Sequence, residues 1–146
     1  MPYEYLDHQA DLGIRGIGAT PEEALSQGAQ AMLAAMADVE TVACEQEWVQ
    51  HCTAPDVPAL FVEWLNELLY QREVHGLLFA SARVTRLSRG EGGPGAEGWV
   101  LEGIACGEPL DPKRHQVYTE VKAATYSGLD YRQEGDRYMV QCVVDL

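Results

Sequence analysis

The segment Asp7-His8-Gln9-Ala10-Asp11-Leu12-Gly13-Ile14 combines a strand pattern with the most promising group of candidate functional side chains in the chain. Apolar Leu12 and Ile14 alternate with other residues, which is the period-two pattern of a half-buried β-strand. Two carboxylates flank an imidazole just before this strand. The segment therefore predicts an early strand with an acidic site where the strand begins.

A helix is predicted directly after this strand. Thr20 can cap the backbone N–H of Glu23, and Pro21 suits the first helical position. Apolar residues at helical spacing then continue to about Ala37. Asp38 follows at the helix end, where an acid is mildly unfavourable. It is either a solvated turn residue or a carboxylate that a positive charge offsets.

The second helix has the strongest helical signal in the chain. Asp56 is a suitable N-cap, Pro58 fits the first turn, and Gly76 is a stop signal. Between them runs a wide apolar stripe that favours a core position over a ligand pocket, made up of Leu60, Phe61, Trp64, Leu65, Leu68 and Leu69.

The second half of the chain is predicted to form strands joined by turns. Residues 82–88 and 99–106 bracket a glycine-rich loop at 89–98, which lacks the pattern of a phosphate-binding loop. Residues 116–125 alternate as a strand, and a last hairpin has arms at 129–133 and 137–145.

Long helix-free runs with short turns imply antiparallel pairing. The sequence therefore predicts an α+β fold with a largely antiparallel sheet, one face of which two main helices cover. A length of 146 residues is close to the commonest domain size, so that residues 1–146 are expected to form a single domain.

Composition excludes several classes of protein. The net charge of −13, from 23 acidic and 10 basic residues, argues against direct nucleic-acid binding. It fits a cation binder, a partner for a basic protein surface, or plain solubility. No apolar stretch is long enough to span a membrane and no signal core is visible, so a cytoplasmic location is expected.

The four cysteines are expected to be free thiols, the default in a cytoplasmic protein. A zinc site made by Cys44, His51 and Cys52 is a poor alternative, because the spacing matches no common zinc motif.

An acidic cluster from both ends of the chain is a further expectation. Asp145 stands next to Leu146, whose carboxylate adds a second negative group. If the first strands pair near the last, then Asp7, His8 and Asp11 come within reach of Asp145. Such hard oxygen ligands suit calcium, magnesium or manganese rather than zinc.

Each of these residues also has a simpler interpretation. Asp7 and Asp11 can shape turns, and His8 can bond to backbone. Lys122, which shares a strand face with Glu120, can form an ordinary cross-strand ion pair worth about 1 kcal/mol at most.

The whole chain resembles the archease family. The opening residues 3–15 are similar to the family's "DHTADIGI" signature, with Gln9 where threonine is common. Residues 64–70 are similar to its second helix, 107–112 to its "GE-x-x-D" stretch, and 119–126 to its "EVKA-x-TY" stretch. The closing residues 143–146 are similar to the family's ending.

This resemblance implies a function. Archeases activate RtcB-type RNA ligases by promoting guanylylation of the ligase's active-site histidine by GTP, a step that uses manganese. They thereby permit multiple turnovers in tRNA splicing and RNA repair, without independent catalysis of their own. The implied partner is such a ligase, with no direct nucleic-acid binding and no membrane.

The resemblance also implies site residues. Its divalent-cation ligands correspond to Asp11, Asp38, Asp145 and an oxygen of Leu146. Calcium is the first candidate in the isolated protein, with magnesium and manganese as alternatives. Lys122 and His8 correspond to further positions with a role in activation.

Two other functions compete with this one. The same carboxylates could serve a metal-dependent phosphoesterase or nucleotide hydrolase, in which Lys122 stabilises developing charge. Alternatively, the protein could be a general acidic chaperone for RNA processing that acts through surface charge alone, and its activity would then be sensitive to salt.

Overall fold

The computed structural model of the chain describes residues 2–8, 11–90 and 98–146, and only the backbone of Asp7 and His8. The elements include the predicted early strand, the two predicted helices and the run of strands in the second half of the chain. They are β1 (Tyr3–His8), β2 (Asp11–Gly18), α1 (Pro21–Met36), a 3-10 turn (Val39–Thr41), β3 (Gln46–Ala54), α2 (Val57–His75), β4 (Leu77–Arg89), β5 (Trp99–Pro109), β6 (Ala123–Ala124), β7 (Asp130–Glu134) and β8 (Arg137–Asp145).

The strands form two sheets. The larger has five strands in the order β1-β2-β8-β6, with β7 also paired to β8, and the smaller has the order β3-β5-β4. The pairs between these strands are antiparallel. The predicted α+β class is thus confirmed, with the refinement that the strands divide into two sheets and that both helices contact both. Periodicity reports which face of a strand is buried, but it does not report which strand is its neighbour.

Local sequence signals set the helix boundaries as predicted. The Thr20 hydroxyl accepts a hydrogen bond of 3.1 Å from the backbone N–H of Glu23. The Asp56 carboxylate accepts one of 2.9 Å from the N–H of Ala59. Gly76 ends α2 in the left-handed conformation, with φ of 64°, where glycine carries no steric penalty.

The core lies between the two sheets and is centred on α2. The apolar stripe predicted for this helix is buried, and its largest fully buried members are Trp64, Phe61, Leu60, Leu65 and Leu68. Part of the other helix and both sheets pack around it. Among the described residues, neither helix is long and apolar enough to cross a membrane.

Two glycines let α1 approach β2 closely. A Cβ on Gly16 would overlap the carbonyl oxygen of Ala24 in the helix. A Cβ on Gly28 would lie 2.5 Å from Cζ of Phe61, a fully buried ring in α2. The contact between strand and helices therefore depends on the absence of side chains at both positions.

One predicted strand is wrong over most of its length. In residues 116–125 the structure has only the short strand β6 and one isolated bridge between Ala37 and Val117. The N–H of Tyr118 donates to the carbonyl of Met36 at 2.9 Å. This segment crosses from the end of α1 to the end of β8, so that its alternation reflects contact with two different elements.

The side chain of Asn66 in α2 anchors β6. Its amide donates to the carbonyl of Ala124 at 3.1 Å, and its oxygen accepts from the N–H of the same residue at 2.8 Å. Both backbone groups of Ala124 that face the helix are thereby satisfied.

The expectation of four free thiols is wrong. Cys44 and Cys106 form a disulfide across 62 residues. This pairing also removes Cys44 from the zinc alternative. Cys52 and Cys142 are free, and burial raises the pKa of the first to about 11 and of the second to about 12. The pairing of distant cysteines cannot be read from their spacing.

The glycine-rich connection predicted between β4 and β5 falls largely outside the described residues, as do Gln9 and Ala10 between β1 and β2. The two strands that flank the glycine-rich connection, β4 and β5, pair as expected, with Arg89 opposite Trp99.

We expect Gly28→Ala to destabilise the protein, although alanine normally favours a helix by about 1 kcal/mol. The added methyl group collides with a buried ring, an overpacking cost of about 1–3 kcal/mol. Urea unfolding measures the change. Adding Phe61→Leu should recover part of the loss, and a more stable Gly28→Ala variant would contradict the close contact.

Reduction of the disulfide should also lower the free energy of unfolding. The chain-entropy relation gives about 4 kcal/mol for a loop of this length as an upper value. Urea unfolding with and without a phosphine reductant measures the loss. The Cys44→Ser, Cys106→Ser double variant is the control and should not respond to reductant. Equal midpoints for the wild type in both conditions would argue against the bond.

Candidate functional site

Two predicted carboxylates meet at one end of the larger sheet. Asp11 begins β2 and Asp145 ends β8, and the two are direct partners in the antiparallel register. Side chains directly opposite on neighbouring strands project from the same face, with Cβ atoms about 4.5–5.5 Å apart. The core residues Ile14 and Cys142 alternate to the other face, where they are buried. Asp11 and Asp145 therefore share the face of the sheet that points away from the helices.

The neighbouring strands on both sides of this pair place further residues at the same end of the sheet. The backbone of His8 is the partner of Asp11 in β1, while Ala123 in β6 is the partner of Asp145. The backbone N–H of Lys122 donates to the carbonyl of Asp145 at 2.8 Å. Four of the residues predicted from sequence thus lie at one end of the sheet, although the side chain of His8 lies outside the described part of the structure.

Asp38 is held in a separate turn. Its Oδ1 accepts from the N–H of Glu40 at 3.1 Å and so caps the 3-10 turn. Its own N–H donates to the carbonyl of Gln116 at 2.8 Å. Residues 116–123, which we call the crossing segment, therefore touch the Asp38 turn at one end and Asp145 at the other. Asp38 and the paired carboxylates lie along one continuous segment.

The fit to a divalent cation is partial. Among the described side chains, no three of the types His, Cys, Asp and Glu come close enough to hold one metal ion. Asp11 and Asp145 lie together, whereas Asp38 is turned toward its own backbone. The ligand set of Asp11, Asp38, Asp145 and Leu146 stays a prediction, as do the roles of His8 and Lys122.

The cross-strand ion pair predicted as the simpler interpretation of Lys122 is not found among the described residues. Within the described residues, the ammonium group of Lys122 has no carboxylate within 4.0 Å. Its side chain is exposed. The simpler interpretation of Lys122 therefore does not account for its position beside Asp145.

Sequence reasoning missed a buried carboxylate that fixes the Asp38 region. Glu108 is 1% exposed and lies at the end of β5. Its Oε2 accepts from the N–H of Ala43 at 2.5 Å, from Arg114 at 3.0 Å and from Nε2 of His115 at 3.0 Å. A second nitrogen of Arg114 donates to Oε1.

This network joins the chain just after the Asp38 turn to the chain just before the crossing segment. Nδ1 of His115 accepts from the N–H of Asp111 at 2.9 Å, which leaves Nε2 as the nitrogen that donates to Glu108. The Cys44–Cys106 disulfide adds a covalent link between the same two regions. The sequence signal was the "GE-x-x-D" stretch, in which Glu108 and Asp111 are both acidic.

The network also favours the ionised form of the Glu108 carboxyl group. Hydrogen bonds from Arg114, from the backbone of Ala43 and from His115 hold the pKa of Glu108 well below its usual value of 4.5. Glu108 is therefore a carboxylate whose charged form is favoured by folding.

The fold and the acidic end of the sheet can be compared with known proteins. The model of the Archease protein family (MTH1598/TM1083) matches residues 3–146. "Protein archease" of Methanopyrus kandleri is 36% identical over 146 residues and covers 100% of both chains. "Protein archease" of Thermococcus gammatolerans is 37% identical over 145 residues, with 99% of this chain and 98% of the other covered.

Solved structures agree with this result. The solution structure of Methanobacterium thermoautotrophicum protein 1598 superposes with a TM-score of 0.83 at 27% identity and covers 99% of each chain. The crystal structure of an archease from Thermotoga maritima, described as a possible chaperone, has a TM-score of 0.58 at 20% identity and covers 97% and 94%. The second similarity concerns the fold alone.

Two helices between two antiparallel sheets, with paired carboxylates at one sheet end, define a class of small α+β protein. Within that class, this chain belongs to the archease family.

We expect the stability of the protein to fall with acid partly through Glu108. Because the folded-state pKa of Glu108 is lowered, its contribution is complete above the unfolded value of 4.5 and is lost as pH falls below it. Urea midpoints measured from pH 7 to pH 3 should decline less steeply in Glu108→Gln than in the wild type. Glu40→Gln, a change at an exposed residue, should keep the wild-type slope. Identical slopes for all three proteins would contradict the assignment.

Proposed function

We propose that this protein activates an RtcB-type RNA ligase by promoting its GTP-dependent guanylylation and multiple turnover in tRNA splicing and RNA repair. The observation that carries the proposal is the direct pairing of Asp11 with Asp145, next to Lys122. Family membership over the whole chain supports it, since the resemblance attaches the activating role to these positions.

The acidic end of the sheet is the proposed cation site. Like charges directly opposite on neighbouring strands destabilise a sheet, so a bound divalent cation would relieve the repulsion between Asp11 and Asp145. An oxygen of Leu146 and the carboxylate of Asp38 complete the proposed set. Calcium accepts six to eight oxygen ligands in flexible geometry and suits this arrangement, with magnesium and manganese as alternatives.

The crossing segment supplies a surface for the ligase. Val117 and Tyr118 are exposed, as is Leu146 at the end of the chain. They flank the Asp38 turn and the Asp145 strand. Exposed apolar groups beside acidic ones favour a protein partner with a basic surface. The net charge of −13 favours such a partner over direct contact with nucleic acid.

In this proposal the protein has no independent catalysis and acts in the cytoplasm. Its residues orient and neutralise charge, while the ligase and GTP supply the reacting atoms. Lys122 is tied to this end of the sheet by its backbone N–H, which donates to the carbonyl of Asp145, and its proposed role in activation belongs to an exposed ammonium group on the α2 side.

The test is multiple-turnover RNA ligation with the ligase from the same source, GTP and manganese, and with this protein in substoichiometric amount. Asp145→Asn keeps the shape of the side chain and removes its charge. It should reduce the number of turnovers at least about tenfold, which corresponds to ~1.4 kcal/mol. Asp136→Asn, in the exposed turn between β7 and β8, is the matched control and should stimulate normally.

The outcomes separate the competing functions. Normal stimulation by Asp145→Asn would show that the acidic site is not the working part. Equal and salt-sensitive losses in both variants would favour an acidic chaperone that acts through surface charge. The same mixtures without ligase test for a phosphoesterase or nucleotide hydrolase, and metal-dependent hydrolysis of GTP or of a cyclic phosphate would replace the proposal.

A further inference from the structure

A cavity of about 250 Å³ lies between α2 and the crossing segment. Its lining residues are Leu69, Arg72, Glu73, Glu120, Val121 and Lys122. Leu69 and Val121 are buried and give the cavity an apolar wall, whereas the other four residues are charged. The cavity thus brings together the cationic side chains of Arg72 in α2 and of Lys122 in the crossing segment.

The guanidinium group of Arg72 is incompletely satisfied. Its Nε is buried and has no hydrogen-bond partner among the described residues. An unmade hydrogen bond at a buried polar atom destabilises the folded protein, and more so when the group is charged. Buried polar atoms are nearly always paired with protein, water or an ion, so the described part of the chain gives this guanidinium group an incomplete set of acceptors.

Neither cation of the cavity has a carboxylate partner within 4.0 Å in the described part of the chain. Three of the seven other arginines have such partners, whereas Arg83, Arg86, Arg89 and Arg137 have none in the described part of the chain. Arg15 contacts Glu4, Arg114 contacts Glu108 and Arg132 contacts Asp130. The chain has 23 acidic and 10 basic residues, so carboxylates are numerous enough to pair with every cation. The cavity therefore offers two cations without a carboxylate partner to an anion from outside the chain.

The two carboxylates of the cavity do not replace that acceptor. Glu73 and Glu120 are exposed, as is Lys122, so that solvent screens all three charges. Arg72 is half-buried against the apolar wall, where electrostatic interactions are stronger. The side of the cavity formed by Arg72 is therefore its more positive side.

We propose that this cavity binds a phosphate group, with the Arg72 guanidinium as a planar donor and the Lys122 ammonium as a second charge. Guanidinium pairs with phosphate through two parallel hydrogen bonds, and lysine binds phosphate as a point charge. An ion with several oxygens and a charge near −2 matches two cations that approach from different elements. This site is distinct from the paired carboxylates; it shares Lys122 with the proposed function, whereas Arg72 belongs to the cavity alone.

Isothermal titration of the full-length protein with inorganic phosphate, at constant ionic strength, tests the proposal. The wild type should show saturable binding with one site. Arg72→Gln should weaken the affinity at least about tenfold, as expected for a lost charged hydrogen bond. Arg72→Lys, which keeps the charge without the planar donor, should lie between them.

A matched control separates the site from general charge effects. Arg86→Gln removes an exposed arginine from β4 and should leave phosphate binding unchanged. Lys122→Gln changes an exposed side chain, so it carries the test even if an Arg72 variant fails to fold, and it should also weaken binding. Retained ligase stimulation in Arg72→Gln with lost phosphate binding would separate this site from the proposed function.

Three results would overturn the proposal. The first is the absence of saturable binding, and the second is an equal loss in Arg86→Gln. The third comes from titration with acetate: binding as tight as that of phosphate would show that the cavity takes a carboxylate, such as that of an acidic side chain on a partner.

Discussion

The pairing of β2 with β8 is the constraint on which the rest of the structure depends. It joins the first and last parts of the chain, and its register places Ile14 opposite Cys142 on the buried face. A slip of one residue would turn these apolar groups to solvent and bring Asp11 and Asp145 toward the helices. The hydrophobic effect that holds the core together therefore also determines where the paired carboxylates lie.

The sequence was informative where structure is local. Helix starts and stops depend on neighbouring residues such as Thr20, Asp56 and Gly76, and each was predicted correctly. The division into two sheets, the disulfide and the path of residues 116–122 depend on contacts between distant parts of the chain. Residues 116–122 alternate as a strand would, but their backbone hydrogen bonds go to two different elements. The local sequence does not indicate this.

The same distinction applies to the site. The pairing of Asp11 with Asp145 could be expected, because hydrophobic alternation makes both flanking segments strands and pairing of the terminal strands brings them together. Glu108 and Arg72 could not be found in this way. The importance of each depends on burial and on partners, or on missing partners, that are known only when distant segments have been placed. Acidic residues were conspicuous in the sequence of this archease, whereas the environment of its cations was not.

The side chain of Asn66 has a consequence for association between molecules. Strand β6 ends the order of the larger sheet, and unpaired backbone groups at such a position can recruit a strand from another chain. The carboxamide of Asn66 has one donor and one acceptor in the arrangement of a peptide group, and it occupies both groups of Ala124. A single side chain thus imitates the next strand and ends the sheet there, so that β6 offers no free template on which copies of the protein could polymerise.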